Sequence, residues 1–197
     1  MSDPNTSASG GYLRQTLGPV DNLDLRRFIG TVLVGISGYP AELVRPAWQP
    51  SPAPIPGIDV DWMAFGMTSR RADNDPYQVE KDSGLLTLQI RHEELDFLLT
   101  FYGPNCIGNA AAFRDATDVT QNQETLYLAG MALVDVSDIT HAPELVNERW
   151  FDRCDMTMTI RREIRREYRI LNFVSAYGAI HANRDITTLS REWATST

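Results

Sequence analysis

LLTLQIRHEELDFLLTFYGPN, Leu85 to Asn105, is the stretch whose reading decides the fold. Leu86, Leu88 and Ile90 alternate with Thr87, Gln89 and Arg91, the period of a strand with one buried face. From Leu95 the apolar residues continue at Phe97, Leu99 and Phe101, on the opposite parity. A simple strand would then send half its apolar side chains into water, so the switch at Arg91-His92-Glu93-Glu94 predicts a bulge or a bend. No Gly or Pro stands there, which favours a bulge over a hairpin turn. Gly103-Pro104 ends the strand.

A second long strand answers the first. Between Arg149 and Ala179, Met156, Met158, Ile160, Ile164, Tyr168 and Ile170 share one parity, interrupted by Arg162 and Arg166. Arg and Glu are good helix formers, but six apolar positions of one parity span both halves, so a continued strand is expected. Leu171 to Ile180 supplies a further strand, and Ile58 to Thr68 another. Arg70 to Asp82 reads as a long, exposed polar connection, such as a hairpin projecting from the body around Asp73, and His141 to Asn147 as a loop.

Helices are expected beside these strands. Asp21 or Asn22 caps a helix whose face is Leu25, Phe28, Ile29, Val32, Leu33 and Ile36. Ile107, Ala110, Ala111 and Arg114 mark a second helix to about Val119. A third starts at Gln121-Asn122-Gln123-Glu124, with Gly130 at its C′ position, and Met131 to Val136 reads as a short strand. Pro46 to Pro56 holds five of the eleven prolines; it reads as an extended connector, with a proline-rich recognition peptide as the alternative. The expected organisation is a flexible arm over 1–20, one domain over 21–183 and a tail over 184–197.

The chain of 197 residues carries a formal net charge of −8, and Lys81 is its only lysine. Arginine suits ordered or interfacial ion pairs, because its planar fork binds a carboxylate with two hydrogen bonds; genome base composition would produce the same bias. The acidic balance argues against a protein that grips nucleic acid by neutralising phosphates. No apolar run approaches a membrane span, and MSDPNTSASGG lacks the regions of a signal peptide, so a soluble protein, intracellular when made, is expected.

Chemistry is sparse. No Ser-His-Asp arrangement, phosphate-cradling glycine loop or paired histidine ligands stand out; no catalytic residue, metal or cofactor is expected. His92-Glu93-Glu94 is the nearest to a catalytic triplet, and it would serve a small metal-dependent hydrolase only with a third ligand. Cys106 and Cys154 lack metal-ligand spacing and read as reduced interior residues. Arg161 to Arg169 contains five Arg and two Glu, a charge of +3 that leaves −11 on the rest. Three readings fit: nucleic-acid binding, which Glu163 and Glu167 oppose; a solvated strand face; or an ion-pair ladder between subunits, matched to acids such as Asp59, Asp61 or Glu93. Arg91, His92, Glu93, Glu94, Arg161, Arg165, Arg169, Asp73 and Asp75 are the candidate interface residues.

The order of several short motifs resembles the phage neck (tail) terminator family. They are Arg91-His92-Glu93-Glu94-Leu95, Phe101-Tyr102-Gly103-Pro104-Asn105, the Gln121-Asn122 helix start, Ala129-Gly130-Met131, and Asp155-Met156-Thr157 running into the arginine-rich strand and Leu171-Asn172. Together they span about residues 22 to 183. The resemblance implies an α+β, sandwich-like domain, a mostly antiparallel sheet of long strands flanked by helices, in a non-enzymatic virion protein of a tailed phage that assembles as a homohexameric ring. That ring would close the head-proximal end of the tail tube and leave a channel for DNA. Its implied partners are the tail tube protein, a neck, connector or head-completion protein, and sheath or collar proteins, with double-stranded DNA passing without specific binding. The implied location is the virion neck or tail, after assembly in the host cytoplasm. A head-completion or connector adaptor of the neck is the alternative.

Overall fold

The computed structural model describes residues 6, 8–19, 21, 23–51, 53–82, 85–146, 148–170, 175–184 and 187–196. In chain order the elements are helix α1 (Leu23–Ser37), strands β1 (Val44–Pro46), β2 (Trp62–Ala72), β3 (Tyr77–Lys81) and β4 (Leu86–Tyr102), and helices α2 (Cys106–Thr117) and α3 (Thr120–Leu128). Strands β5 (Met131–Val136), β6 (Thr140–His141), β7 (Glu144–Val146), β8 (Arg149–Phe151), β9 (Arg153–Tyr168), β10 (Ser175–Arg184) and β11 (Thr187–Ser196) follow. The residues group into two compact units, one of Val20–Asp75 and Arg91–Ile164, the other of Met1–Pro19, Pro76–Ile90 and Arg165–Thr197. Strands β4 and β9 contribute residues to both.

The larger unit is built on the two strands that the sequence singled out. Sheet order is β1-β2-β4-β9-β5, with β6 also pairing β9. β2 is antiparallel to β4, β5 and β6 are antiparallel to β9, and the short β1 is parallel to β2. This is the expected α+β class.

Strand alternation places Leu95, Phe97, Leu99 and Phe101 of β4 and Cys154, Met156, Met158 and Ile160 of β9 in one core. Helix α1 adds Leu25, Ile29, Val32 and Leu33; α2 and α3 add Cys106, Ala110, Phe113 and Leu126. Phe113 tilts against Phe101 with ring centroids 5.6 Å apart. Full burial of such side chains stabilises by roughly 1.5–3 kcal/mol each, which is what holds the helices to the sheet.

β4 passes through Arg91–Glu94 without a turn, as expected, but the register break against its neighbour falls on β2, between Met67 and Ser69. Thr68 is the extra residue there, so the bulge lies on β2 opposite Asp96–Phe97 and not at Arg91–Glu94 of β4. The parity switch coincides with a change of partner. Leu86–Ile90 pair with β3, whereas Glu93–Tyr102 pair with β2.

Other expectations need correction. β2 begins at Trp62, not Ile58, and continues to Ala72; β3 occupies Tyr77–Lys81, so only Asp73–Pro76 connect them. The end of β2 is polar because Arg70 and Arg71 pair with acids on β4, a signal that apolar alternation does not carry. The expected loop at 141–147 contains the end of β6 and all of β7, which pairs with β8; Asn147 lies outside the described residues, as does Asn22. Gly130 holds the C′ position of α3, as expected, with φ +70°.

In the second unit β3 pairs antiparallel with Leu86–Ile90, and β10 with β11 over Ser175–Arg184 and Thr187–Ser196. Of the further strand expected over Leu171 to Ile180, the first four residues lie outside the described ones. Leu17 bridges Glu167, Thr16 N–H donates to Glu167 O at 2.8 Å, and Arg166 Nε donates to Gln15 Oε1 at 2.8 Å. Among the described residues no helix is long and apolar enough to cross a membrane.

Candidate functional site

The alternation that builds the core also sorts the charges of the larger unit onto two faces. Glu93 and Arg162 have the parity of the buried residues and face inward, 2% and 4% exposed. Glu93 Oε1 accepts from Arg162 Nε at 2.6 Å, and Glu93 Oε2 accepts from Arg70 Nε at 2.6 Å. Asp21, just ahead of α1, accepts from both arginines. Burial works against the charge on Arg70, but the hydrogen bond and charge of Glu93, together with Asp21, outweigh it and raise its pKa. Glu93 is therefore enclosed and paired within its own chain.

The opposite parity forms an open charged face across β2, β4 and β9. Arg71 Nη1 binds Asp96 Oδ2 at 2.8 Å and Arg71 Nη2 lies 3.4 Å from Glu94. Thr159 Oγ1 donates to Asp96 Oδ1 at 2.9 Å. Arg161 lies 3.6 Å from Glu94 and 3.4 Å from Asp73, while His92 stands 3.8 Å from both Asp73 and Glu163. Arg71, Arg161, Asp73 and His92 keep about half of their side-chain surface in water, at 59%, 45%, 50% and 46%. Ion pairs this exposed contribute about 0–1 kcal/mol each, so their members can exchange partners at little cost.

At one end of this face lies an aromatic and cationic stack. Trp62 and Tyr102, directly opposite in register, stack with centroids 4.2 Å apart. Arg45 lies over Trp62 at 5.6 Å and Arg153 over Tyr102 at 6.0 Å. Asp155 holds Arg153 through paired bonds of 3.0 and 2.8 Å and raises its pKa.

Gly103 turns the chain from β4 toward α2 at φ +108°, where a Cβ would collide with Asp61 and the Val60 carbonyl. Asp61 then receives the Asn105 backbone N–H at 3.0 Å and its side-chain amide at 2.9 Å, which sets the start of α2. Cys106 opens α2 and meets Cys154 of β9, their sulfurs 2.8 Å apart, both buried. Burial and the neighbouring Cys106 push the Cys154 thiol up to about 12. His141 joins them, each residue offering one donor atom within 4.8 Å of the others. Spacings of 35 and 13 residues hid this cluster from any local motif.

Of the candidate interface residues, the structure brings Asp73, His92, Glu94 and Arg161 together. Glu93 lies on the other face of the sheet. Arg91 is half-buried and Asp75 exposed; Arg165, exposed, and Arg169, half-buried, belong to the second unit. Sequence reasoning missed Arg71 and Asp96, for which an extended β2 would have been the signal. It also missed Asp21 and Arg70 as partners of Glu93.

The family model described as phage neck terminator protein matches residues 23–184. The chain belongs to that family. No curated protein matches it. The neck terminator family is one of structural phage proteins, so the charged face belongs to a component of the phage tail and neck.

Proposed function

We propose that this neck terminator assembles as a homohexameric ring that caps the head-proximal end of the tail tube and joins tail to neck. The observation that carries this reading, beside family membership, is the open face of Arg71, Asp73, His92, Glu94 and Arg161. Its weakly held ion pairs can be re-formed with a neighbour, and opposite charges meeting across an interface fix which surfaces pair. A head-to-tail contact that closes by rotation yields a ring. A formal charge of −8 suits a channel through which DNA passes without being held, because phosphates are weakly repelled. The neighbours of such a ring would be the tail tube on one side and a connector or head-completion protein on the other, in the virion after assembly in the host cytoplasm.

Native mass spectrometry of the full chain, alone and with tail tube protein, tests the ring. Reversal of Arg161 and Arg165 to Glu is expected to abolish assembly while leaving the thermal unfolding of the free subunit nearly unchanged. A chain that stays monomeric both free and in assembled particles overturns the proposal. A particle map that seats it against the portal instead assigns it to the connector class.

A further inference from the structure

We propose that Cys106, His141 and Cys154 bind a single thiophilic divalent ion of the zinc class, stapling the start of α2 to the β6–β9 pair. Three elements converge on this point: the first residue of α2, the last of β6 and the second of β9. His141 and Cys154 are direct partners in the antiparallel register, which places their side chains on the same face of the pair. Cys106 reaches the same point because Gly103 and Asp61 fix where α2 begins.

The donor set matches the ion. Two sulfurs and one imidazole are soft and borderline ligands, the combination that selects zinc over magnesium or calcium. The three donor atoms lie within 4.8 Å of one another, a span that one ion can bridge after small side-chain adjustments. The sulfur side is dry, with Cys106 2% and Cys154 0% exposed, whereas the His141 side chain is 47% exposed. The fourth coordination position therefore opens toward solvent on the histidine side, where water completes a tetrahedron. Asp152 Oδ1 stands 3.6 Å from His141 Nε2, close enough to orient the ring as carboxylates do behind metal-bound histidines.

The same two sulfurs could instead form a disulfide, releasing two electrons and two protons to an oxidant such as dioxygen. The third donor distinguishes the cases: a disulfide has no use for a histidine, and an ion does. A staple here would tie α2 to the sheet independently of ring assembly.

The test uses the full chain, purified without a metal-affinity tag and reduced, with Co²⁺ as the spectroscopic probe and Zn²⁺ as competitor. Binding of one equivalent is expected, with tetrahedral ligand-field bands and a thiolate-to-cobalt charge-transfer band that zinc abolishes. Cys106→Ser and Cys154→Ser are expected to lose the charge-transfer intensity in part and the tight binding altogether. Because those cysteines are core residues, His141→Ala serves as the exposed variant. It should fold normally and weaken binding by more than the roughly 10–100-fold typical of a lost second-shell partner. Absence of these bands in folded, reduced protein overturns the proposal, as does cobalt binding that His141→Ala leaves unchanged. A Cys106–Cys154 disulfide in protein that takes up no metal after reduction also overturns it.

Discussion

Replacing Glu93 with Gln keeps the shape of the side chain and removes its charge. In the native protein that carboxylate is 2% exposed and serves two guanidinium groups, each through a 2.6 Å bond. Arg162 is 4% exposed, so its charge would remain buried, with Asp21 still bound to it. Breaking a buried pair from one side costs about 3–5 kcal/mol. Arg70, whose side chain is 33% exposed, adds little because solvent screens it. At roughly 2–4 °C per kcal/mol for a chain of this size, the melting temperature should fall by roughly 6–20 °C. Differential scanning calorimetry, with urea unfolding at neutral pH, reads the change. The double variant Glu93→Leu/Arg162→Met, which removes both charges, should recover most of the loss, since apolar replacements of buried pairs are commonly near neutral. A single-variant shift below about 2 °C, or a double variant no better than the single, would refute the assignment of Glu93 and Arg162 as a mutually dependent buried pair.

Gly103→Ala forces a Cβ against Asp61 at φ +108°; backbone strain of this kind costs about 1–3 kcal/mol, to be read as a lowered urea midpoint. Arg71→Ala removes the ion pairs of a side chain that is 59% exposed, and Asp96, 13% exposed, keeps its bond from Thr159. Stability should therefore fall by only about 1 kcal/mol while assembly into the proposed ring is impaired, as unfolding and native mass spectrometry would read. Burial, aided by the charge of Asp61, raises the Tyr39 pKa from 10.0 to about 12. The folded state thus favours the neutral phenol. Its contribution to stability is complete below pH 10, where the unfolded chain also holds the proton, and is lost as pH rises through 12. An ultraviolet titration in which no tyrosine ionises above the ordinary range, or in which Tyr39→Phe leaves the late phase intact, would contradict this.

The sequence exposed those parts of the fold whose physics is local. Period-two alternation located β4 and β9, because burial on one face leaves its mark at every second residue. The spacing of Leu25, Ile29, Val32 and Leu33 located α1 for the same reason. What stayed hidden depends on partners far along the chain. Arg162 read as an interruption of an apolar row, since its justification, Glu93, lies 69 residues away. The end of β2 looked like a polar connection, because Arg70 and Arg71 are strand residues only in the company of β4. The cluster of charge around Arg91–Glu94 was legible, but not its division between two faces: Glu93 shares the buried parity and His92 and Glu94 do not. Cys106, His141 and Cys154 carry no spacing signature because tertiary structure alone unites them.

The Glu93–Arg162 contact also has consequences for errors. Long strands of alternating sequence can pair out of step, and a slip of one residue exchanges the two faces of the sheet. In β9 such a slip would carry Met156, Met158 and Ile160 toward water and turn Arg161 and Glu163 inward. Hydrophobic loss alone would penalise that decoy, but a slip of two residues would keep the apolar parity and escape the penalty. It would not escape the buried charge: Glu93 would then face Ile160 or Ile164 in place of Arg162. A single ion pair thus marks the origin from which the alignment of two long strands is counted.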